Sequence, residues 1–282
     1  MPLPIVRTVA NLRAQVRAWK AEGLRVGFTP TMGALHDGHL SLVRLAGERA
    51  DRVIASIFVN PTQFAPHEDF DAYPRDEARD AALLDNAGCA LLYAPSVAEM
   101  YLAGASTTVT VAGVSGPMDG AARPSHFAGV ATVVTKLLLQ CEPDLAVFGE
   151  KDYQQLQVIR RLVRDLNIPV EIVGGPIVRA ADGLALSSRN AYLTPAERDA
   201  APGLSRALAQ AVERLHAGMP IAQVEAEAMA ALQAAGFAHI DYVEVRDIHD
   251  LARLGPGRLE GPARLLAAAV LGRTRLIDNL AV

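Results

Sequence analysis

Two histidines stand three residues apart near the start of the chain, in the run Pro30–His39, which reads P-T-M-G-A-L-H-D-G-H. If this turn opens a helix, His36 and His39 share one face, and their imidazole N–H groups can donate to phosphoryl oxygens. A helix N-terminus also attracts anions, and Gly33 and Gly38 allow a ligand to approach the backbone closely. The pattern predicts a phosphate site; the alternative is a solvated turn whose histidines cap the helix.

A second polar segment, Phe58–Phe64, follows the apolar run that begins at Arg52. The amides of Asn60 and Gln63 can both donate and accept, which suits a substrate with hydroxyl and carboxylate groups. The alternative is that the Asn-Pro pair is an ordinary turn whose amides satisfy the backbone.

A third segment, Gly149–Gln155, again lies between an apolar run and a helical pattern. Lys151 is a compact cation that can hold a phosphate. Asp152 can bond a ribose hydroxyl. The alternative is that Asp152 only caps the helix and that Lys151 is solvated. A lysine at a helix start opposes the helix dipole, which favours a bound anion.

A fourth segment, Leu186–Asn190, sets two hydroxyls, Ser187 and Ser188, beside the guanidinium of Arg189. This combination can clamp a phosphate, although a polar linker would have the same composition. Arg123–Gly129 adds a cation and a histidine before a helix. The Asp80 carboxylate can help hold Mg²⁺; the alternative is a solvated side chain on a helix.

The elements that must position these segments alternate between strand and helix patterns. Apolar runs predict five strands, and amphipathic stretches between them predict helices, so the pattern favours a parallel sheet covered on both faces. The strands are Leu24–Thr29, Arg52–Val59, Ala90–Tyr93, Leu145–Phe148 and Glu171–Val173; the helices are His39–Ala50, Asp76–Ala87, Val130–Leu139 and Gln154–Leu166.

The pattern changes after residue 180. Thr194-Pro-Ala-Glu197 is typical of a helix start, and two helices followed by three strands predict a small α+β domain. The predicted helices are Pro195–Leu215 and Ile221–Ala235, and the strands are Ile240–Val245, Ala263–Val270 and Arg275–Asn279.

Composition excludes several classes of protein. The chain has 282 residues with 27 Lys+Arg against 31 Asp+Glu, so the net charge of −4 gives no electrostatic footprint for nucleic acid. No apolar stretch reaches membrane-span length, and the first residues do not match a signal peptide. Cys89 and Cys141 are too far apart for a metal-ligand pair and are expected to be buried free thiols, which fits a cytoplasmic protein. Neither a zinc-ligand pattern nor a G-x-S-x-G nucleophile motif is present.

Taken together, the ordered motifs resemble those of the pantoate–β-alanine ligase family along essentially the whole chain. The H-x-G-H element alone also occurs in other nucleotidyltransferases and in class I aminoacyl-tRNA synthetases, whereas the ordered set is specific. The matching runs are Pro30–His39, Phe58–Phe64, Arg123–Gly129, Gly149–Gln155, Leu184–Asn190 and Arg275–Asn279.

The resemblance implies a two-step reaction. The carboxylate of pantoate attacks ATP to give pantoyl adenylate and pyrophosphate, and β-alanine then displaces AMP to form the amide of pantothenate. It also implies Mg²⁺ accompanying ATP, no tightly bound organic cofactor and a homodimer. The implied fold is a Rossmann-like nucleotide- and pantoate-binding domain over residues 1–180, with a smaller α+β domain over residues 181–282 that covers the active site.

The same resemblance assigns roles position by position. His39 matches the residue described as a proton donor, although a hydrogen bond to the departing phosphates would serve, and His36, Lys151 and Arg189 join it as catalytic candidates. Gln63 and Gln155 match substrate-binding glutamines, to which Asn60 and Arg123 are added. The expected ATP contacts are Met32, Gly33, Ala34, Leu35, His36, Asp37, Gly38, His39, Gly149, Glu150, Lys151, Asp152, Val178, Leu186, Ser187, Ser188 and Arg189. A related nucleotidyltransferase and an inactive nucleotide-binding regulator are the rival hypotheses.

Overall fold

The computed structural model describes residues 2–64, 70, 73 and 75–282. Its contacts divide the chain into two compact units, the first formed by Met1–Glu150 and Gln155–Pro176, and the second by Lys151–Gln154 and Ile177–Val282. The short stretch around Lys151, which we expected in the first domain, is therefore grouped with the second unit. The predicted domain boundary at residue 180 stays a prediction.

A six-stranded sheet forms the centre of the first unit, with the order β1-β4-β3-β2-β5-β6 and parallel pairing throughout. Its strands are β1 (Ile5–Val6), β2 (Val26–Thr31), β3 (Arg52–Ile57), β4 (Leu91–Tyr93), β5 (Leu145–Gly149) and β6 (Glu171–Gly175). The helices along this part of the chain are α1 (Val9–Ala21), α2 (Asp37–Gly47), α3 (Glu77–Asn86), α4 (Val97–Met100), α5 (Asp119–Ala122), α6 (His126–Cys141) and α7 (Tyr153–Asp165). The predicted parallel sheet is confirmed.

The chain winds outward from β2 in two directions. Strands β3 and β4 step toward one edge of the sheet, whereas β5 and β6 step toward the other. Because parallel crossovers are right-handed, α2 and α3 cover one face, and α6 and α7 cover the other. Leu42 and Val43 of α2 accordingly share a buried cluster with Val53 and Leu145. The loops that leave the carboxyl ends of β2 and β5 therefore run in opposite directions. This is the topological switch point of the sheet, where doubly wound folds bind ligands.

The second unit contains an antiparallel three-stranded sheet in the order β7-β8-β9, with β7 (His239–Asp247), β8 (Ala263–Leu271) and β9 (Thr274–Ala281). Helices α8 (Pro195–Ala200), α9 (Gly203–His216) and α10 (Ile221–Ala234) precede it. The buried cluster of this unit joins Leu208 and Val224 of the helices to Leu265 of the sheet. The predicted α+β arrangement is confirmed.

Two local expectations need correction. The single helix predicted over Pro195–Leu215 is two helices, because Pro202 has no N–H to donate and its ring clashes with the preceding turn. The sequence interpretation also missed β1, α1, α4 and α5. Helix α1 begins after Thr8, whose side chain accepts a hydrogen bond from the Asn11 N–H.

Both cysteines are free and buried, as expected. Among the described residues, none of the helices combines the length and the apolar character that crossing a membrane requires.

Candidate active site

The turn between β2 and α2 carries the paired histidines. Thr31 anchors its start: the Thr31 hydroxyl donates to the Ser56 carbonyl at 2.7 Å and accepts from the Gly33 N–H at 3.2 Å. Gly33 and Ala34 both have left-handed backbone, with φ of +84° and +52°. A Cβ at Gly33 would lie 3.0 Å from an Asp80 oxygen, so glycine suits both the conformation and the space.

Asp80 of α3 fixes the same turn from the side. Its two carboxylate oxygens accept from the backbone N–H groups of Ala34 and Leu35, at 2.8 and 3.0 Å. Asp80 is 1% exposed, so the alternative of a solvated carboxylate is wrong. In the described part of the chain, no group of three or more His, Cys, Asp or Glu side chains is arranged to hold a metal ion.

His36 and His39 form a reciprocal cap at the start of α2. His36 Nδ1 accepts from the Gly38 N–H at 3.1 Å, and His39 Nδ1 accepts from the His36 N–H at 3.4 Å. Because Nδ1 is an acceptor in both rings, the proton of each neutral imidazole is on Nε2. The rings lie 4.1 Å apart between centroids. The capping alternative is therefore correct as geometry, and the cap fixes both rings through Nδ1.

The segment after β3 brings Asn60 and Gln63 together, in and beside a 3-10 helix, Pro61–Gln63. Asn60 is 1% exposed; its Nδ2 donates to Gln63 Oε1 at 3.2 Å, and its Oδ1 accepts from the Tyr101 hydroxyl at 2.8 Å. Gln63 Nε2 in turn contacts Met32 Sδ at 3.0 Å. The second motif thus reaches the first through Gln63, and the Asn60 amide orients Gln63 rather than facing outward.

Arg123 and His126 hold the backbone of Gln63. His126 Nδ1 donates to the Gln63 carbonyl at 3.0 Å, and Arg123 reaches the same carbonyl from Nη2 at 3.4 Å. Arg123 Nη1 also donates to His126 Nε2 at 3.2 Å. The sequence interpretation assigned no role to His126, whose position in R-P-S-H-F-A-G was its only signal. Arg123, predicted to bind substrate, supports the Gln63 segment in this structure.

Gly129 lets α6 approach this segment closely. A Cβ there would lie 2.2 Å from the Thr62 carbonyl oxygen, which is backbone and cannot move aside cheaply. Asn60 Nδ2 donates to the Gly129 carbonyl at 3.3 Å, so the two segments are bonded where they touch. Gly129 therefore sets how closely α6 packs against the segment that carries Gln63.

A cavity of about 310 Å³ opens beside the turn. Its wall includes Met32 and Gly33 from the turn, Asp80 from α3 and Phe58 after β3. This volume is near the lower end for small-molecule sites. A small molecule can therefore reach the turn at the carboxyl edge of the sheet.

The remaining site candidates are distributed along both units. Gln155 lies part-buried in the first turn of α7, in the first unit, after Gly149 and Glu150 at the end of β5. Lys151 belongs to the second unit, and no ion pair to its Nζ occurs within the described ranges. Asp152 beside it is exposed.

The fourth motif, Leu186–Asn190, is held in place by backbone and side-chain hydrogen bonds. Leu186 donates its backbone N–H to the Val178 carbonyl at 2.9 Å, and Arg179 and Ala185 form an antiparallel bridge. The Ser187 hydroxyl then accepts from the Arg189 N–H at 3.3 Å, at the start of a 3-10 helix, Ser188–Tyr192. This segment is fixed by its own hydrogen bonds, and the phosphate clamp stays a prediction.

A doubly wound sheet whose switch-point turn carries paired histidines is typical of a nucleotide-using α/β enzyme. The sequence matches the family described as pantoate-beta-alanine ligase over residues 4–281. A pantothenate synthetase of Caulobacter vibrioides is 64% identical over 279 residues, which cover 99% of this chain and 98% of that protein.

Solved structures agree. The crystal structure of a pantothenate synthetase from Thermus thermophilus has a TM-score of 0.91 and 49% identity, with 99% of each chain covered. A pantoate-beta-alanine ligase from Francisella tularensis, complexed with beta-gamma ATP and beta-alanine, has a TM-score of 0.82 and 32% identity, covering 99% of this chain and 97% of that one. The chain belongs to the pantoate–β-alanine ligase family. It is an ATP-dependent ligase that joins pantoate to β-alanine.

Proposed function

We propose that the reaction runs through an acyl adenylate. A pantoate carboxylate oxygen attacks the α-phosphorus of ATP, the bond to the bridging oxygen breaks, and pyrophosphate leaves. The β-alanine amine then attacks the acyl carbon, loses a proton and displaces AMP. This route passes through no covalent intermediate with the enzyme, so the enzyme works by orienting groups and stabilising charge.

The observation that carries this proposal is the double histidine cap at the start of α2. The helix N-terminus attracts phosphate, and the cap fixes both imidazole rings beside it through Nδ1. Negative charge develops on the leaving pyrophosphate, and donors aimed at it lower the barrier. His36 and His39 therefore act as hydrogen-bond donors to the departing phosphates.

Lys151, Ser187, Ser188 and Arg189 supply the remaining phosphate contacts in this proposal. Its support is chemical: one cation, two hydroxyls and a guanidinium match phosphate oxygens, and Arg can bind them in a bidentate manner. Val178 contributes a backbone contact to the adenine, and Asp152 bonds the ribose. The other ATP contacts are the turn residues Met32–His39, together with Gly149, Glu150 and Leu186.

Gln63 and Gln155 bind pantoate, and Gln63 also faces β-alanine. Because Asn60 Nδ2 donates to Gln63 Oε1, the orientation of the Gln63 amide is fixed, with Nε2 as the donor on the side of Met32. A donor suits the carboxylate and hydroxyl oxygens of pantoate. Arg123 acts on the same substrate through the Gln63 backbone.

Mg²⁺ accompanies ATP in this proposal, bound to phosphate oxygens. Asp80 does not fit as its ligand, because both carboxylate oxygens already accept hydrogen bonds from the turn. We further propose a homodimer in the cytoplasm, the latter supported by two free thiols. Light scattering of the purified protein measures the oligomeric state.

Isotope exchange tests the route. Labelled pyrophosphate should enter ATP only when pantoate is present, and adding β-alanine should release AMP in equal amount to pantothenate. Release of ADP would overturn the adenylate route. A product that retained the nucleotide would indicate a nucleotidyltransferase instead, and ATP binding without turnover would indicate a regulator.

A further inference from the structure

The last motif of the sequence, Arg275–Asn279 on β9, contains two polar residues that are almost fully buried. Asp278 is 3% exposed and Asn279 is 1% exposed. Buried polar side chains need partners, so the partners show what these residues do. Both reach segments that the proposed function assigns to ATP.

Asn279 holds the segment that carries Lys151. Its Nδ2 donates to the Lys151 carbonyl at 2.9 Å, and its Oδ1 accepts from Arg264 Nε at 2.6 Å. The Arg264 guanidinium lies 4.3 Å from the centre of the Tyr153 ring. The Tyr153 hydroxyl then donates to the Ile248 carbonyl at 3.0 Å. The segment from Lys151 to Tyr153 is thus fixed at several points within the second unit.

Asp278 holds the segment that leads to Ser187–Arg189. Its two oxygens accept from both terminal nitrogens of Arg179, at 2.6 and 2.8 Å. Arg179 also donates to the Gly183 carbonyl at 3.0 Å and pairs with Ala185 through the backbone. Asp278 therefore fixes the small hairpin directly before the serine and arginine motif.

We propose that Asp278 and Asn279 are positioning residues that set the Lys151 segment and the Ser187–Arg189 segment for the phosphates of ATP. The two are neighbours on one strand, so their side chains point to opposite faces and one rigid strand fixes both segments. This inference rests on the proposed phosphate role of Lys151. It predicts a defect in the step that uses ATP and not in the step that uses β-alanine.

The test uses Asn279→Asp, which keeps an acceptor for Arg264 and replaces the donor to the Lys151 carbonyl with an oxygen. We expect the KM for ATP in pantoate-dependent pyrophosphate exchange to rise about tenfold, the size expected for one lost buried hydrogen bond. The single-turnover rate at which β-alanine consumes supplied pantoyl adenylate should stay within about twofold. Only the first step contains the pyrophosphate that Lys151 is proposed to hold.

Arg275→Gln is the matched control. Arg275 belongs to the same motif but pairs with Asp241 on β7, at 2.6 Å. It should lower the melting temperature while leaving the KM for ATP unchanged. Equal losses in both half-reactions of Asn279→Asp, or an equal rise in KM for Arg275→Gln, would show a merely structural role and overturn the inference.

Lys151→Met separates this inference from the proposed function. It should raise the KM for ATP at least as much as Asn279→Asp. Unchanged exchange in Lys151→Met would refute the phosphate role and the inference with it. A strong effect of Lys151→Met beside an unchanged Asn279→Asp would refute the inference alone.

Discussion

An oxygen of the Asp80 carboxylate lies 2.8 Å from the backbone nitrogen of Ala34, a non-glycine residue with φ of +52°. The left-handed conformation costs an alanine free energy that glycine would not lose. A charge-assisted hydrogen bond offsets this cost, and the second oxygen binds the next N–H. The Asp80 carboxylate thus stabilises the conformation that presents both histidines.

Asp80→Asn should loosen this turn. The amide keeps one acceptor but presents N–H groups to the other backbone donor, which leaves a buried donor unsatisfied at a cost of about 1–3 kcal/mol. We expect the rate of pyrophosphate exchange to fall about tenfold or more and the melting temperature to fall with it. Asp85→Asn, on the exposed side of the same helix, should change neither. Recovery of Asp80→Asn at high Mg²⁺ would contradict this role and favour a metal ligand.

Gly129→Ala should separate α6 from the Gln63 segment. The new methyl group meets backbone atoms of Thr62 at 2.2 and 2.6 Å, so one segment must shift, at a cost of about 1–3 kcal/mol. The KM for pantoate should rise in steady-state assays. Gly47→Ala is the control, because its Cβ meets only Val53, at 3.8 Å, at the end of α2. An unchanged KM and stability for Gly129→Ala would refute the close approach.

His39→Ala should lower the exchange rate about 10²–10³-fold, the usual loss when one charge-stabilising donor is removed. His39→Gln carries an N–H donor at a similar distance from the backbone and should recover part of this loss. Circular dichroism should show native helix content in both variants. If His39→Gln were as inactive as His39→Ala, proton transfer rather than hydrogen-bond donation would be indicated.

Alkaline pH should destabilise the fold through its thiols. Burial raises the pKa of Cys89 from 9.0 to about 11 and raises the pKa of Cys141 further. Above pH 9 the unfolded chain therefore releases protons that the native state retains, and the free energy of unfolding falls by up to about 1.4 kcal/mol per pH unit for each thiol. Urea titrations between pH 8 and 10 measure this slope.

The Cys89→Ala, Cys141→Ala double variant should flatten the slope in that range. The double variant should also differ from the wild type in its free energy of unfolding at pH 8, because two buried side chains become smaller. The test therefore compares the slopes with pH and not the absolute stabilities. The pKa of Tyr93 is also raised by burial from its ordinary value of 10.0, so its contribution begins at higher pH. A slope that is the same in the wild type and the double variant would refute the assignment to the thiols.

Five of the six strands of the parallel sheet were predictable because they are apolar runs, which hydrophobicity alone marks. Strand β1 was not, because it has only two residues, Ile5 and Val6, and neither is buried. Helix α1 was not, because only Leu12 and Val16 of its residues are buried and its apolar periodicity is weak. The break between α8 and α9 at Pro202 follows from proline chemistry, and the sequence interpretation did not include it. Strand order depends on crossovers between distant segments, which no local pattern contains.

The site shows the same division. Candidate motifs could be chosen from the sequence, because residue types and their placement after strands are local features. The partners of those motifs could not: Asp80 binds Ala34 across 46 positions of sequence, and His126 binds Gln63 across 63. Sequence therefore indicated candidate groups for substrate contacts and missed the contacts that hold those groups in place.

The path of the chain has a consequence for how this enzyme can be divided. The chain passes between the two units at Glu150–Lys151, at Gln154–Gln155 and at Pro176–Ile177. A gene fragment that begins at Ile177 would encode Asn279 without the Lys151 carbonyl and Arg264 without the Tyr153 ring. The C-terminal part is therefore not an exchangeable module, and a recombination that transferred it to another enzyme would have to transfer Lys151–Gln154 as well.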